Sequence, residues 1–305
     1  MSISVLIPTL NEERNLPFAL ESCRFADEVF VLDSGSRDGT RKIAADFGAR
    51  FFYHAWEGYA SQKNWGLANL PIGTDWVFIL DADEQITEEL GAELISISRG
   101  KARTRNAGFY VNRFFVWKGE KIRHCGYYPS WNLRFFQRGK ARYEERSVHE
   151  HMLLEGQAGY LKGEMRHEDR RGRRQLWRKH LRYAELEAAE MLNAIWSGAD
   201  KEAEKGKKGF RPAFFGNPLE RRRAVKEHIW PYLPSRWLLR LIYMSILKRG
   251  FLDGRAGLDL CLFMSRYERE ISKSFRRQKK QKKSFLEFDR HLPSHHSVFL
   301  KPFGK

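Results

Sequence analysis

The most constraining feature of the sequence is an apolar run, residues 76–80, that is followed at once by acidic residues, among them Asp81 and Asp83. Such a run is typical of a buried strand, and parallel sheets present their functional groups at the carboxyl ends of strands. Alternate residues of an extended chain lie on one side, so Asp81 and Asp83 could converge on one hard cation. The alternative is an acidic N-cap for the helix that starts near Ile86.

The first ninety residues alternate short apolar runs with helical patterns. We predict strands at residues 3–7, 29–32, 50–53 and 76–80, and helices at residues 16–23, 41–47 and 61–68. Alternation of this kind, with short links, predicts an α/β fold with a parallel, doubly wound sheet. Asp33 ends the second predicted strand, so its carboxylate is expected at the same sheet edge as Asp81.

Two common nucleotide-binding folds are disfavoured by the turns. The loop after the first strand, residues 8–12, reads PTLNE and lacks the G-x-G-x-x-G pattern of dinucleotide-binding folds. The chain also lacks the G-x-x-x-x-G-K-[ST] pattern of P-loop enzymes. The predicted sheet edge therefore fits neither of these two classes.

Three blocks in order carry a specific resemblance: SVLIPTLNE at residues 4–12, VLDSGSRDGT at residues 31–40 and DADEQ at residues 81–85. With these blocks the chain resembles a family 2 glycosyltransferase of the GT-A fold, a Rossmann-like domain that binds nucleotide diphosphate sugars. The family transfers a sugar from such a donor with inversion at the anomeric carbon. The resemblance covers the first ninety residues.

The resemblance implies roles for the residues of these blocks. Thr9, Glu12 and Asp33 would bind the base and ribose of the nucleotide, and Asp81 would contact the nucleotide sugar as well. Lys63, in a segment that resembles the family's nucleotide-contacting stretch, would reach the base or the diphosphate; otherwise it is a solvated helix lysine.

By the same resemblance, Asp81 and Asp83 would hold Mg²⁺ or Mn²⁺ against the diphosphate, with Gln85 and His167 as further metal-side candidates. Asp38 is expected to cap its own turn. The favoured donor is a UDP-sugar, and glucose is the sugar expected from the subgroup that the next blocks resemble.

The segment from residue 105 to residue 165 is rich in aromatic and basic residues and is predicted to form a more antiparallel, acceptor-side half. Its G-x-Y-P-x-x-x-x-R-x-F and V-H-E blocks resemble the bacterial lipopolysaccharide inner-core β-glucosyltransferases. That subgroup commonly has an acid after Y-P, where this chain has Ser130. Glu150 is therefore the candidate general base, with Glu145 or Asp169 as substitutes. His149 or His167 could contact the diphosphate or metal, or be simply hydrogen-bonded.

The charge and cysteine content bound the partners. The net charge of +17 implies an anionic partner: nucleic acid, anionic lipid or a phosphorylated substrate. Three cysteines, far apart in sequence, predict neither a disulfide framework nor a zinc site and fit a reducing compartment. We find no signal peptide and no apolar run of membrane-spanning length, so we expect a cytoplasmic protein on the inner face of the cytoplasmic membrane.

The C-terminal third is predicted to be a helical, basic extension of the GT-A domain. We divide the chain into residues 1–165 (1–90 for the nucleotide sugar, 105–165 for the acceptor), a membrane-facing extension at 166–275 and a flexible basic tail at 276–305. Residues 237–247 predict a helix that lies in a membrane interface or packs on the core. The basic run at 276–283 suits anionic lipid, RNA or solvation alone.

The sequence as a whole predicts an inverting, metal-dependent sugar transferase that acts on a membrane-borne glycan, lipopolysaccharide core being the expected acceptor. A transferase for another surface polysaccharide or for polyprenyl phosphate is the alternative within the class. A basic RNA-binding protein with a degenerate nucleotide fold is the alternative from another class, disfavoured because no RNA-binding motif is present and the strand-end aspartates would repel phosphates without a metal.

Overall fold

A computed structural model of the chain describes residues 2–100, 105–144, 152–196 and 229–290, without the side chains of residues 194, 196 and 283–290. Two compact units emerge, each described by itself. The first unit comprises Met1–Leu176 and Met244–Leu260, and the second comprises Trp177–Tyr243 and Cys261–Lys305. The division differs from the predicted boundaries at 165 and 275, because the chain returns to the first unit with Met244–Leu260.

The first unit is built on a mixed sheet with helices on both faces. Its strands are β1 Ile3–Thr9, β2 Glu28–Asp33, β3 Arg50–Tyr53, β4 Trp76–Ile79, β5 Glu84–Ile86, β6 Gly108–Trp117, β7 Glu120–Ile122, β8 Trp131–Gln137, β9 Ala141–Tyr143, β10 Met152–Leu154 and β11 Ala158–His167. Its helices are α1 Leu16–Ser22, α2 Thr40–Asp46, α3 Tyr59–Asn69 and α4 Glu88–Ser98, together with the first residues of α5 Arg173–Trp196. The predicted strands and helices of the first ninety residues are therefore confirmed to within two residues at each end.

The sheet order is β3-β2-β1-β4-β8-β6-β11-β5, with β7 paired to β6. Strands β1 to β4 are mutually parallel, whereas β8 runs antiparallel to both β4 and β6. Strands β9 and β10 form a separate antiparallel pair. The sheet is therefore parallel over β1 to β4 and mixed beyond them.

Strand β4 is buried on both faces, as its unbroken apolar run predicts. Phe78 packs into a core with Leu16 of α1 and Leu90 of α4. Ile79 packs into a second core on the opposite face, with Ala60 of α3. The strand is thus fixed by two layers of helices, and so is the loop that follows it.

One strand escaped prediction. Strand β5, only Glu84–Ile86, pairs antiparallel with β11, Gln85 opposite Arg166. Three residues are too few to show a periodic pattern, and the partner lies about eighty residues further along the chain. The acidic residues after β4 therefore lead into a strand, and helix α4 begins only at Glu88, capped by the side chain of Thr87.

The second unit is helical among the residues described. It holds most of α5, a short 3₁₀ turn Trp230–Tyr232, α6 Arg236–Ile242 and most of α7 Gly254–Arg290. Ala184 packs against Tyr267 and Ile271, and Phe275 against Leu192. Because basic residues and glutamine are good helix formers, α7 runs on beyond this apolar contact to Arg290. The predicted flexible tail is thus helical as far as that residue.

Only the first part of the predicted interfacial helix at 237–247 is α-helical. Helix α6 ends at Ile242, and Tyr243–Leu247 is π-helical. Arg236 and Arg240 both bind the buried carboxylate of Glu268, while Leu238 and Leu239 are about two-fifths exposed. Among the residues described, no helix has the length and apolar character needed to cross a bilayer.

Candidate functional site

The carboxyl ends of β1, β2 and β4 meet at one edge of the sheet. Thr9 at the end of β1 lies opposite Asp33 at the end of β2, and β1 also pairs with β4, whose run continues to Asp81. The three residues are therefore gathered by parallel pairing, as the sequence predicts.

Asp33 is buried, and its carboxylate accepts hydrogen bonds from its own turn and from Thr9 at the end of β1. One oxygen accepts from the backbone N–H groups of Gly35 and Ser36, and the other from the hydroxyls of Thr9 and Ser36. Gly35 has φ +100°, a conformation that L side chains rarely adopt. Asp33 thus shapes the loop after β2. Asp38 shapes the loop's far end, accepting from the Thr40 N–H at 3.0 Å, so its predicted capping role is confirmed.

Asp81 lies between two cations. Lys63 Nζ is 3.1 Å from one carboxylate oxygen and Arg134 NH2 is 2.7 Å from the other. Burial alone would raise the pKa of Asp81, but Arg134 and Lys63 hold that pKa well below its ordinary value. Lys63 is itself buried on α3. Helix α3 can approach the sheet closely because Gly66 has no Cβ, which would lie only 2.9 Å from the Leu6 side chain.

A buried ion network anchors the loop after β4. Glu84 is 1% exposed; one of its oxygens is 3.0 Å from both Arg113 and Arg134, and the other accepts from the Asp81 N–H. The neighbouring carboxylates raise the pKa of Arg134 well above its usual value, against the effect of burial. The predicted block R-x-F thus contributes its arginine to this site.

Asp83 faces different partners from Asp81. The Glu84 N–H donates to the Asp81 carbonyl at 2.8 Å, so residues 81–84 form a tight turn and not the extended chain from which we predicted convergence. Asp83 lies 3.5 Å from His167 Nε2 and 3.9 Å from Arg171 NH2. The two predicted metal-side residues Asp83 and His167 are therefore neighbours.

Arg171 joins several acids at this edge. It binds Asp169 at 2.6 Å and Glu12 at 2.8 Å, and Asn15 donates to Glu12 at 2.8 Å. Burial would lower the pKa of Arg171, but these carboxylates raise it. Burial would raise the pKa of Asp169, yet its bonds to Arg171 lower it, which makes Asp169 a weaker base than an ordinary carboxylate.

The remaining predicted site residues lie apart or outside the described residues. In the amide orientation that satisfies both of its polar atoms, the Gln85 side-chain oxygen accepts a hydrogen bond from Arg170 at 2.8 Å. Glu150, Glu145 and His149 are not among the residues that the structure describes. No group of three or more His, Cys, Asp or Glu side chains is arranged to hold a metal ion among residues 2–100, 105–144, 152–196 and 229–282.

A groove of about 750 Å³ lies over β6, β7 and β11. Of the four aromatic residues that line it, Trp131 at 43% and Tyr160 at 64% are exposed, and their rings pack edge to face with centroids 5.0 Å apart. Glu164 lies in the groove and accepts from Asn112 and Tyr128. Burial would raise the pKa of Glu164, but Lys121, Tyr128 and Asn112 lower it.

A comparison of the sequence with protein-family profiles finds a match that includes the strand ends of this edge. Residues 4–150 match the sequence profile described as glycosyl transferase family 2. This segment belongs to glycosyl transferase family 2. The predicted resemblance is thereby confirmed, and the α/β fold with its mixed central sheet is the GT-A fold of that family.

Two relatives of similar sequence are named glycosyltransferases. The chain is 34% identical over 168 residues to the lipopolysaccharide core biosynthesis glycosyltransferase LpsC of Rhizobium meliloti, covering 52% of this chain and 60% of that protein. It is 33% identical over 120 residues to an uncharacterized glycosyltransferase of Rickettsia typhi, covering 39% of this chain and 40% of that protein. The matches thus span less than two thirds of either relative.

Among solved structures, a glucosyl-3-phosphoglycerate synthase from Mycobacterium tuberculosis, in complex with Mn²⁺, UDP and glucosyl-3-phosphoglycerate, aligns with 38% of this chain and 44% of its own. The identity is 25% and the TM-score 0.30. A score this low carries nothing about ligands from that protein to this one.

Sequence reasoning missed three arginines of the edge: Arg113, Arg134 and Arg171. Arg134 had a usable signal, because it is the arginine of the R-x-F block. Arg113 and Arg171 had none, since a basic residue in a chain with 55 lysines and arginines does not stand out.

Proposed function

We propose that this protein is an inverting, divalent-metal-dependent glycosyltransferase. It would move a sugar from a nucleotide diphosphate sugar, UDP-glucose being the first to test, to a membrane-borne glycan. The observation that carries the proposal is that Asp33 and Asp81 follow parallel strands to one sheet edge, where Lys63 pairs with Asp81 and His167 lies beside Asp83. A lipopolysaccharide core acceptor is supported by the name of the Rhizobium meliloti relative.

The donor set at Asp83 and His167 suits Mg²⁺ or Mn²⁺. A carboxylate oxygen and an imidazole nitrogen 3.5 Å apart are acceptable ligands for such a cation, which commonly takes one or two protein ligands and completes its shell with substrate phosphates and water. Bound there, the metal would neutralise charge on the departing diphosphate. Asp81 was also predicted as a ligand, and we retain it as a candidate although Lys63 and Arg134 hold both its oxygens.

The chain's own cations would assist the departure of the nucleoside diphosphate. Lys63 and Arg171 are fixed by carboxylates before any ligand arrives, so they need no reorganisation to meet a phosphate. Thr9, Glu12 and Asp33 remain the proposed nucleotide contacts. Because the Asp33 carboxylate already accepts three hydrogen bonds from its own turn and one from Thr9, we assign it to loop shape first and to ribose contact second.

Inversion needs one base on the acceptor side. It takes the proton of the acceptor hydroxyl while that oxygen bonds to the anomeric carbon and the bond to the diphosphate breaks. We keep Glu150 in this role. Asp169 is the weaker candidate because Arg171 occupies it and lowers its pKa.

We assign the groove with Trp131 and Tyr160 to the acceptor glycan. Exposed aromatic rings can pack on sugar rings, while the carboxylate and amide groups beside them bond the sugar hydroxyls.

Tyr160→Ala should raise KM for the acceptor about tenfold with little change in donor binding, since the ring is remote from Asp83 in the sheet. Tyr232→Ala, which removes another ring at 56% exposure, is the matched control. An unchanged acceptor KM in Tyr160→Ala and Trp131→Ala would remove the groove from the proposal.

The deciding experiment is calorimetric titration with UDP, with and without Mn²⁺. We expect Mn²⁺ to tighten UDP binding about tenfold or more, and Asp83→Ala to abolish that gain. Asp46→Ala, which removes an exposed carboxylate at the end of α2, is the control and should bind as the parent does. UDP binding that ignores Mn²⁺, or an Asp83→Ala variant that behaves as the parent, would contradict the metal-dependent mechanism.

A further inference from the structure

Residues 246–252 of the first unit display four large apolar side chains to solvent. Ile246 is 61% exposed, Leu247 69%, Phe251 52% and Leu252 54%. We call Ile246–Leu252 the apolar tip. Scattered exposed apolar residues are ordinary on a protein surface, but four within seven consecutive residues form a patch that water solvates poorly.

The apolar tip is firmly attached to the body of the first unit. Asp253, directly after it, accepts from the backbone N–H groups of Arg123 and His124 and from the His124 ring. Before Phe251, the Lys248 carbonyl accepts from the Cys125 N–H at 3.1 Å. The exposed side chains are thus carried by an anchored backbone turn. Contact with a partner would therefore cost little backbone conformational entropy.

The charge around the apolar tip is positive. Lys248 and Arg249 lie within it, and Arg123 and Arg255 beside its anchor are exposed as well. Two nearby acids have donors of their own: Asp253 is 5% exposed at its side chain and capped by N–H donors. Asp259 lies 3.0 Å from Lys118 and 3.3 Å from Arg173.

We infer that the apolar tip inserts into the interfacial layer of an anionic lipid bilayer, with the surrounding lysine and arginines on the headgroups. Apolar side chains ringed by basic ones match such a surface in both polarity and charge. Each basic residue near the surface adds electrostatic attraction to the headgroups, and this attraction is weakened by salt. The inference concerns attachment, and it stands whether or not UDP binds.

The inference moves the membrane contact from the predicted helix to the turn that follows it. Residues 237–247 were predicted to lie in the interface, and α6 does expose Leu238 and Leu239 to 41% and 42%. The greatest exposure, however, falls at Ile246 and Leu247, beyond the end of α6.

The test is co-sedimentation of the full-length protein with vesicles. Phosphatidylglycerol–phosphatidylcholine vesicles serve as the anionic probe and pure phosphatidylcholine as the neutral one. We expect binding to the anionic vesicles that falls with salt, and a loss of about tenfold in the double variant Leu247→Ser with Phe251→Ser, because two apolar contacts are removed. Leu186→Ser, at a residue 51% exposed in the second unit, is the matched control and should bind as the parent does.

Two further measurements test the basic run of α7 and self-association of the protein. In the first, Lys279, Lys280 and Lys282 are replaced by serine. If that variant loses vesicle binding while the double tip variant keeps it, the apolar tip is not the anchor. The second is sedimentation velocity: a dimer that the double tip variant dissociates, with vesicle binding unchanged, would make the tip a protein interface and overturn the inference. Circular dichroism melting confirms that each variant is folded.

Discussion

At the scale of single residues, the candidate site depends on buried ion pairs whose partners come from distant parts of the chain. Asp81 holds Lys63 on α3 and Arg134 on β8, and Glu84 holds Arg113 and Arg134. Removing one member of such a group leaves a charge buried without compensation, which costs more than the pair contributes.

Asp81→Asn should therefore destabilise the protein at neutral pH by about 2 kcal/mol. The folded pKa of Asp81 lies well below its unfolded value, which is about 3.9. A carboxylate of this kind contributes stability in full above its unfolded pKa, and that contribution is lost progressively as the pH falls from about 4 to the folded pKa. Urea unfolding at pH 7 and at pH 3 should show a large difference between parent and variant at pH 7 and a smaller one at pH 3.

Urea unfolding of Asp38→Asn at the same two pH values is a useful comparison, because Asp38 caps an exposed turn. If Asp81→Asn costs the same at both pH values, the ion pairs at Asp81 do not supply the stability assigned to them.

At the scale of elements, helix α4 approaches β11 more closely than side chains normally allow. A Cβ built on Gly163 would lie 2.4 Å from Leu90 Cα and 2.7 Å from Leu90 N. Backbone atoms cannot move aside as a side chain can, so the helix would have to shift. The groove beside β11 is shaped by this contact, since Gly163 and Thr87 both line it.

Gly163→Ala should lower the free energy of unfolding by about 3 kcal/mol. Gly73→Ala is the control, because its Cβ would meet only the end of the Glu28 side chain at 3.4 Å, and it should cost less than about 0.5 kcal/mol. Urea denaturation followed by circular dichroism measures both. Equal stability of the two variants would show that α4 is free to adjust.

The apolar tip is also an element with an identifiable anchor. Asp253→Ala removes the acceptor of two backbone N–H groups and the His124 ring, so the surrounding turn should open more often. We expect faster hydrogen exchange in peptides that cover residues 246–257, with little change in β1 or β4. Exchange as slow as in the parent would mean that other contacts fix the tip.

At the scale of the whole molecule, the chain forms two compact units with different means of stabilisation. The first has apolar cores on both faces of a sheet. The second relies in part on Glu268, which is 2% exposed and binds Trp230, Arg236 and Arg240. Two units of this kind need not unfold in one step.

Glu268→Gln should destabilise the second unit by about 3 kcal/mol, because Arg236 stays buried without its counter-charge. Glu270→Gln, two residues along the same helix, removes only a surface pair with Lys273 and should cost less than about 0.5 kcal/mol. Hydrogen exchange should then rise in α5 and α6 of the Glu268→Gln protein. A uniform rise that includes β1 and β4 would mean that the units unfold together.

The amino-acid pattern alone was enough to predict the parallel half of the fold and the family. Strands β1 to β4 each contain a short, mostly apolar run followed by turn residues, and such signals are local, so they can be recognised one segment at a time. The blocks around Asp33 and Asp81 are equally local, and they sufficed to predict the sheet edge at which these residues meet.

The tertiary packing decides which acidic side chains pair with which basic ones. Asp81 meets Arg134 across 53 positions of sequence, and Arg171 reaches Glu12 across 159. The turn at Asp81–Glu84, which separates the partners of Asp81 from those of Asp83, is stabilised by the buried network at Glu84. Local pattern carries no information on such pairings, because they arise from how strands and helices pack. The exposure of the apolar tip was hidden for the same reason: its residues resemble those of a core, and only the folded chain leaves them uncovered.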